Sequence, residues 1–69
     1  MNNDIYWSHV CMSSMKSRNE KTFEYGLHHI INSSRKQTLR QIYDQFMNND
    51  SKIIEVVNKY HSPIPVVVA

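Results

Sequence analysis

Glycine occurs once in these 69 residues, at Gly26, so the chain has no glycine-rich loop of the kind that cradles phosphates. Cysteine is also single. Cys11 has no partner for an intramolecular disulfide, and that usage fits a reducing compartment. No apolar run approaches the roughly 18 residues of a membrane span. The N-terminus lacks a basic segment followed by an apolar one. The expectation is a cytoplasmic protein with no membrane contact. There is no low-complexity tract and no repeat of fixed period, which excludes a solenoid and a compositionally disordered chain. Charge of one sign is sparse as well: eight Lys and Arg face six Asp and Glu, for a formal net charge of +2. A dedicated nucleic-acid binder of this size carries a denser basic face.

What remains is length and pattern. A chain this short buries only about 60% of the surface its unfolded form exposes, so a dimer or another protein partner is the expected source of extra burial. Four stretches carry helical periodicity. Trp7, Val10, Cys11 and Met15 fall on one face of the first, with Ser14 between them and Asn2, Asn3 or Asp4 available as a cap. Ser17-Arg18-Asn19-Glu20 has the form of a capping box ahead of a stripe of Phe23, Leu27, Ile30 and Ile31, which Asn32-Ser33-Ser34 breaks. Ser34-Arg35-Lys36-Gln37 is a second such box, opening the best-formed stripe: Leu39, Ile42, Tyr43, Phe46 and Met47. Asn48-Asn49 can take the left-handed turn that ends a helix, and Asp50 or Ser51 can cap the next, whose stripe is Ile53, Val56, Val57 and Tyr60. The β-branched residues of that last stripe also suit a strand, but the spacing and the cap favour helix.

The expected fold is therefore all-α: a compact bundle of three to four short helices at about 4–15, 19–32, 35–48 and 51–61. Residues 1–62 form a single helical domain, followed by an extended apolar tail over 63–69. Pro63 and Pro65 are expected to push Ser62 and Ile64 into extended geometry. In "HSPIPVVVA", Ile64, Val66 and Val67 are expected first to fold back across the helices, next to add as a strand to a partner or to the counterpart in a dimer, and last to serve as a terminal signal read by a protease or a peptide-binding domain. Gly26 flanks the second stripe, where it can admit another backbone or sit as a surface glycine.

Chemistry-bearing residues are scattered. Cys11 lies on an apolar stripe, where the ordinary reading is a buried structural thiol. Glu20 and Asp50 sit near helix starts, and Asp4, Glu24, Asp44 and Glu55 fall at polar positions with no pocket signal beside them. His9, His28, His29, His61 and Cys11 are the conceivable zinc ligands. However, His28 and His29 are neighbours that diverge by about 100° on a helix, and His9 points away from the Cys11 stripe. No metal, no cofactor and no enzymatic activity are expected.

Binding is the remaining class. Tyr25 falls opposite Phe23 and Leu27, beside His29, and Tyr6 falls off the first stripe, so these rings are expected to look outward, as interface aromatics do. Arg35, Lys36 and Arg40 cluster at the opening of the third helix, where cations oppose the helix dipole; they are candidates for an acidic protein surface or for phosphates. The expected function is a small non-enzymatic regulator or adaptor acting through a protein partner, as a homodimer or with another protein. Its partner-binding residues are then Tyr25, His29, Arg35, Lys36, Arg40, Ile64, Val66 and Val67. The competing reading is a helix-turn-helix DNA-binding regulator using residues 35–60. Against it, the usual turn glycine is replaced by Met47, Asn48 or Asn49, and the second helix would expose a mixed set of Lys52, Glu55, Asn58 and Lys59.

Overall fold

A computed structural model describes residues 3–59, and within them the regular structure is all helix, without strands, as the apolar spacing leads one to expect. Its helices are α1 (Asp4–Lys16), α2 (Glu20–His28), α3 (Ser33–Met47) and α4 (Ser51–Lys59). The expected helices at 4–15, 35–48 and 51–61 match α1, α3 and α4 to within two residues where they can be compared. Residues 60–69, with the expected end of the fourth helix and the apolar tail, lie outside the described residues. α1 is the common element: it runs along α2 and also packs against α3 and α4.

Side-chain chemistry at the helix ends differs from the expected capping boxes. Ser17 does not open α2. It closes α1, with its hydroxyl donating to the carbonyls of Ser13 and Ser14. The N-cap of α2 is Asn19, whose side-chain oxygen accepts from the Thr22 amide at 3.0 Å. Likewise Asn32, not Ser34, caps α3 by accepting from the Arg35 amide at 3.0 Å. Asn is as good an N-cap as Ser, and each of these lies two residues from the serine that the box pattern selects. Asp50 caps α4 as expected, accepting from the Lys52 and Ile53 amides.

Two helices end in the same way. At the end of α1 the Arg18 amide donates to the Met15 carbonyl and the Asn19 amide to Ser14. At the end of α3 the Asn49 amide donates to Phe46 and the Asp50 amide to Gln45. This is the Schellman pattern, which needs a left-handed residue just past the helix. Asn49 supplies it at φ 63° and Arg18 at φ 56°. A single glycine in the chain is spent elsewhere, so an arginine carries the strain at the first turn. Arg18 is held by what it reaches: its guanidinium lies 4.9 Å from the Phe46 ring centre, and its Nη1 is 3.6 Å from Met47 Sδ.

α2 stops at His28, four residues before the predicted limit of 32. The cause is a buried carboxylate. Asp4, expected at a polar position, is only 4% exposed, and its two side-chain oxygens accept from the backbone amides of Ile31 and Asn32, each at 2.9 Å. Those amides cannot then continue the helix. The turn closes through His29 and Ile30 amides donating to Gly26 and Leu27. Ile30 stays in the core, whereas Ile31, assigned to the same stripe, is turned out to 78% exposure.

The core joins Cys11, Met12, Met15, Phe23, Leu27, Ile30, Leu39, Phe46 and Val57. In α4, Ile53, Ile54 and Val57 face it, and Val56, expected in the stripe, is exposed. Where α1 meets α2 the residues are small. Ser14 is fully buried, with its hydroxyl donating to the Cys11 carbonyl at 2.7 Å. A Cβ built on Gly26 would lie 3.1 Å from both Cys11 Sγ and Val10 Cγ1, so of the two sequence readings the close approach of helices is the one observed.

Candidate interaction surface

The close α1–α2 approach at Gly26 has an external consequence. The Trp7 carbonyl sits just 3.5 Å from where a Gly26 side chain would begin, so the Trp7 ring, one turn from the N-terminus of α1, is brought over the residues flanking Gly26. It stacks on His29 with ring centres 4.2 Å apart and planes 16° from parallel. Tyr25 meets Trp7 edge-on at 5.7 Å and His29 at 4.7 Å. Tyr6 adds an edge contact to Trp7 at 4.8 Å, and His28 one to His29 at 5.6 Å. Tyr25 and His29 are exposed, as the sequence leads one to expect, while Trp7 and Tyr6 are half-buried. Trp7 packs against the core, as its place in the first stripe leads one to expect, and it is at the same time the centre of an aromatic face that reaches the surface. The signal that could have found it is the pairing of a lone glycine with aromatic or imidazole residues one before and three after it.

The basic trio is divided. Arg35 turns towards α1, where its Nη1 donates to Ser8 Oγ at 3.2 Å. Arg40 turns towards α2 and pairs with Glu24 at 3.5 Å, an exposed and therefore weak ion pair. Lys36, one turn before Arg40, is half-buried. A shallow cleft of about 220 Å³ between α2 and α3 is lined by Glu24, Leu27, His28, Lys36 and Arg40. His28 thus belongs both to this cleft and to the edge of the aromatic face. Ile5, 68% exposed, and Ile31 emerge beside Asp4, whose carboxylate ties their two segments together. Ile64, Val66 and Val67 lie outside the described residues.

Among the described residues no group of three or more His, Cys, Asp or Glu is placed to hold a metal ion, and no helix is long and apolar enough to cross a membrane. Cys11 is fully buried, with its Sγ 3.7 Å from the Phe23 carbonyl oxygen. Burial, and secondarily the Glu24 carboxylate, push its thiol from 9.0 up to about 12. A thiol reagent at neutral pH should therefore leave the native protein untouched and label one thiol in denaturant; rapid native labelling would contradict the burial. The raised thiol also sets a sign. The unfolded chain loses this proton first as pH rises above 9, so the contribution to stability is complete below pH 9 and declines towards 12.

Comparison with protein-family models, with curated proteins and with solved structures finds no match at the thresholds applied.

Proposed function

We propose that this protein is a small non-enzymatic regulator or adaptor that binds another protein through the face centred on Trp7. The observation that carries this reading is the ring cluster itself. The helices are already held by Phe23, Phe46 and the aliphatic core, yet Trp7, Tyr6, Tyr25 and His29 are gathered at the surface. Such rings offer large contact area at low entropic cost, and Trp and Tyr are the residues most enriched in binding hot spots. A second copy of the chain is the simplest protein that such a face could meet.

The test is capture of partner protein by the full chain and by a Tyr25→Ala/His29→Ala variant. Both side chains are exposed, so the variant should melt within about 1 kcal/mol of the wild type while losing most of the captured protein. Sedimentation of the wild type and variant decides whether the captured protein is the chain itself. Equal capture by a folded variant would sink the reading.

One observation favours the DNA-binding alternative: α3 and α4 are joined by only Asn48, Asn49 and Asp50, in the outline of a helix-turn-helix. Its would-be recognition helix is poorly suited, because Lys59 is paired with Glu55 at 2.9 Å and Val56 is exposed in its middle. Binding to nonspecific duplex DNA that weakens steeply with salt would support this alternative, and no binding at low salt would exclude it.

A further inference from the structure

We infer that the α2–α3 cleft receives a carboxylate of the partner, so that the docking segment is acidic and carries an apolar anchor beside the acid. This rests on the proposed aromatic face and names the chemistry of what lies on it. Lys36 and Arg40 are one helical turn apart on the same side of α3, an arrangement of like charges that is unfavourable in an isolated helix. Lys36 also lies near the positive end of the α3 dipole. Arg40 reaches Glu24 through one nitrogen at 3.5 Å, and Lys36 makes no ion pair among the described residues. A carboxylate seated between them would relieve both repulsions and could take a further donor from His28. His28 leads directly to His29 and Trp7, so a residue adjacent to the acid would fall on the rings.

The cleft suits a single carboxylate better than a phosphate backbone. Its two cations share the wall with Glu24, which would repel a continuous line of phosphates, and the net charge of the chain is only +2. Electrostatic complementarity of this kind sets partner choice and register more than raw affinity.

Panning the full chain against a random dodecapeptide library tests the inference. Recovered peptides are then titrated into the wild type, Lys36→Glu and Tyr25→Ala, with Trp7, the only tryptophan, as the fluorescent reporter. Thermal melts establish that each variant is folded, and Lys36→Gln serves if Lys36→Glu is not. The expected result is enrichment of Asp or Glu next to an aromatic or aliphatic residue. Binding should weaken about tenfold in the Lys36 variant and on raising the salt. Recovery of basic or uncharged peptides, or of none, overturns the inference. So does tighter Lys36-dependent binding of a short DNA duplex. If the Lys36 variant binds as the wild type while Tyr25→Ala does not, the carboxylate site falls and the aromatic face stands. The opposite pattern keeps the cleft and removes the face.

Discussion

Replacing Asp4 with Ala is expected to lower stability by about 3 kcal/mol, a drop of roughly 15 °C in Tm for a chain of this length. Two physical effects add. The carboxylate accepts charge-assisted hydrogen bonds from the Ile31 and Asn32 amides, and hydrogen bonds to charged groups are worth more than neutral ones. Its removal also leaves those amides without their acceptor in a site that is 4% exposed at Asp4, so the loss exceeds the net value of the bonds. Asp4→Asn keeps the shape and one acceptor but loses the charge, and should fall between wild type and alanine. Because Asp4 joins the start of α1 to the α2–α3 turn, hydrogen exchange should speed up first at Ile31 and Asn32. A change in Tm below about 3 °C in Asp4→Ala would mean that water replaces the carboxylate at no cost. The same variant should disturb Ile5 and Ile31, which flank the anchor, before it disturbs the Trp7–His29 stack.

Asp4 also shows where reading the sequence stops. Helical periodicity is a local property, and it places α1, α3 and α4 well because their stripes are made by residues three and four apart. The end of α2 is set by a residue 27 and 28 positions away in sequence. The polar break comes only at Asn32-Ser33-Ser34, and the hydrophobic pattern runs on through Ile31, so Ile31 reads as core. Val56 is a subtler case. Either Val56 or Ile54 can complete a stripe with Ile53 and Val57. The position of α4 on α1 and α3 turns Ile54 inward and Val56 outward, and only tertiary packing chooses between them.

The surface was legible in pieces. Periodicity alone puts Tyr25 and His29 outside, and charge alone marks Arg35, Lys36 and Arg40. It could not show that Trp7 joins the first pair, because its position fits the Val10–Cys11–Met15 stripe and a core tryptophan satisfies the same spacing. Nor could it separate Arg35 from Lys36 and Arg40, since consecutive residues differ by about 100° around a helix and which neighbour each meets depends on the packing of α1 and α2. The single glycine was the informative residue. Its missing side chain lets the two helices close, and that closure puts the rings together.

The other large effect belongs to Phe23. It is fully buried, it is the only aromatic ring that α2 gives to the core, and Tyr43 of α3 stacks on it with ring centres 4.2 Å apart. Phe23→Ala should cost about 4 kcal/mol from lost burial and the cavity left behind, including the stack. A domain of this size is held by about 3–5 kcal/mol in all, so the variant should show no cooperative thermal transition. Phe23→Leu keeps most of the volume and should remain folded, which allows a finer readout. The Tyr43 phenol is raised above its ordinary value, first by burial and then by Glu20, Glu24 and Asp44. A raised phenol holds its proton longer in the folded state, so its stabilising contribution is complete below about pH 10 and is lost above it. The smaller leucine covers less of the ring, so water reaches Tyr43 and its titration, followed by its NMR ring signals, should move back towards the ordinary value. An unchanged titration in a folded Phe23→Leu would assign the shift to the three carboxylates instead. In that case substituting Glu20, the strongest of the three, should move the titration part of the way back, with Glu24 and Asp44 holding the rest of the shift.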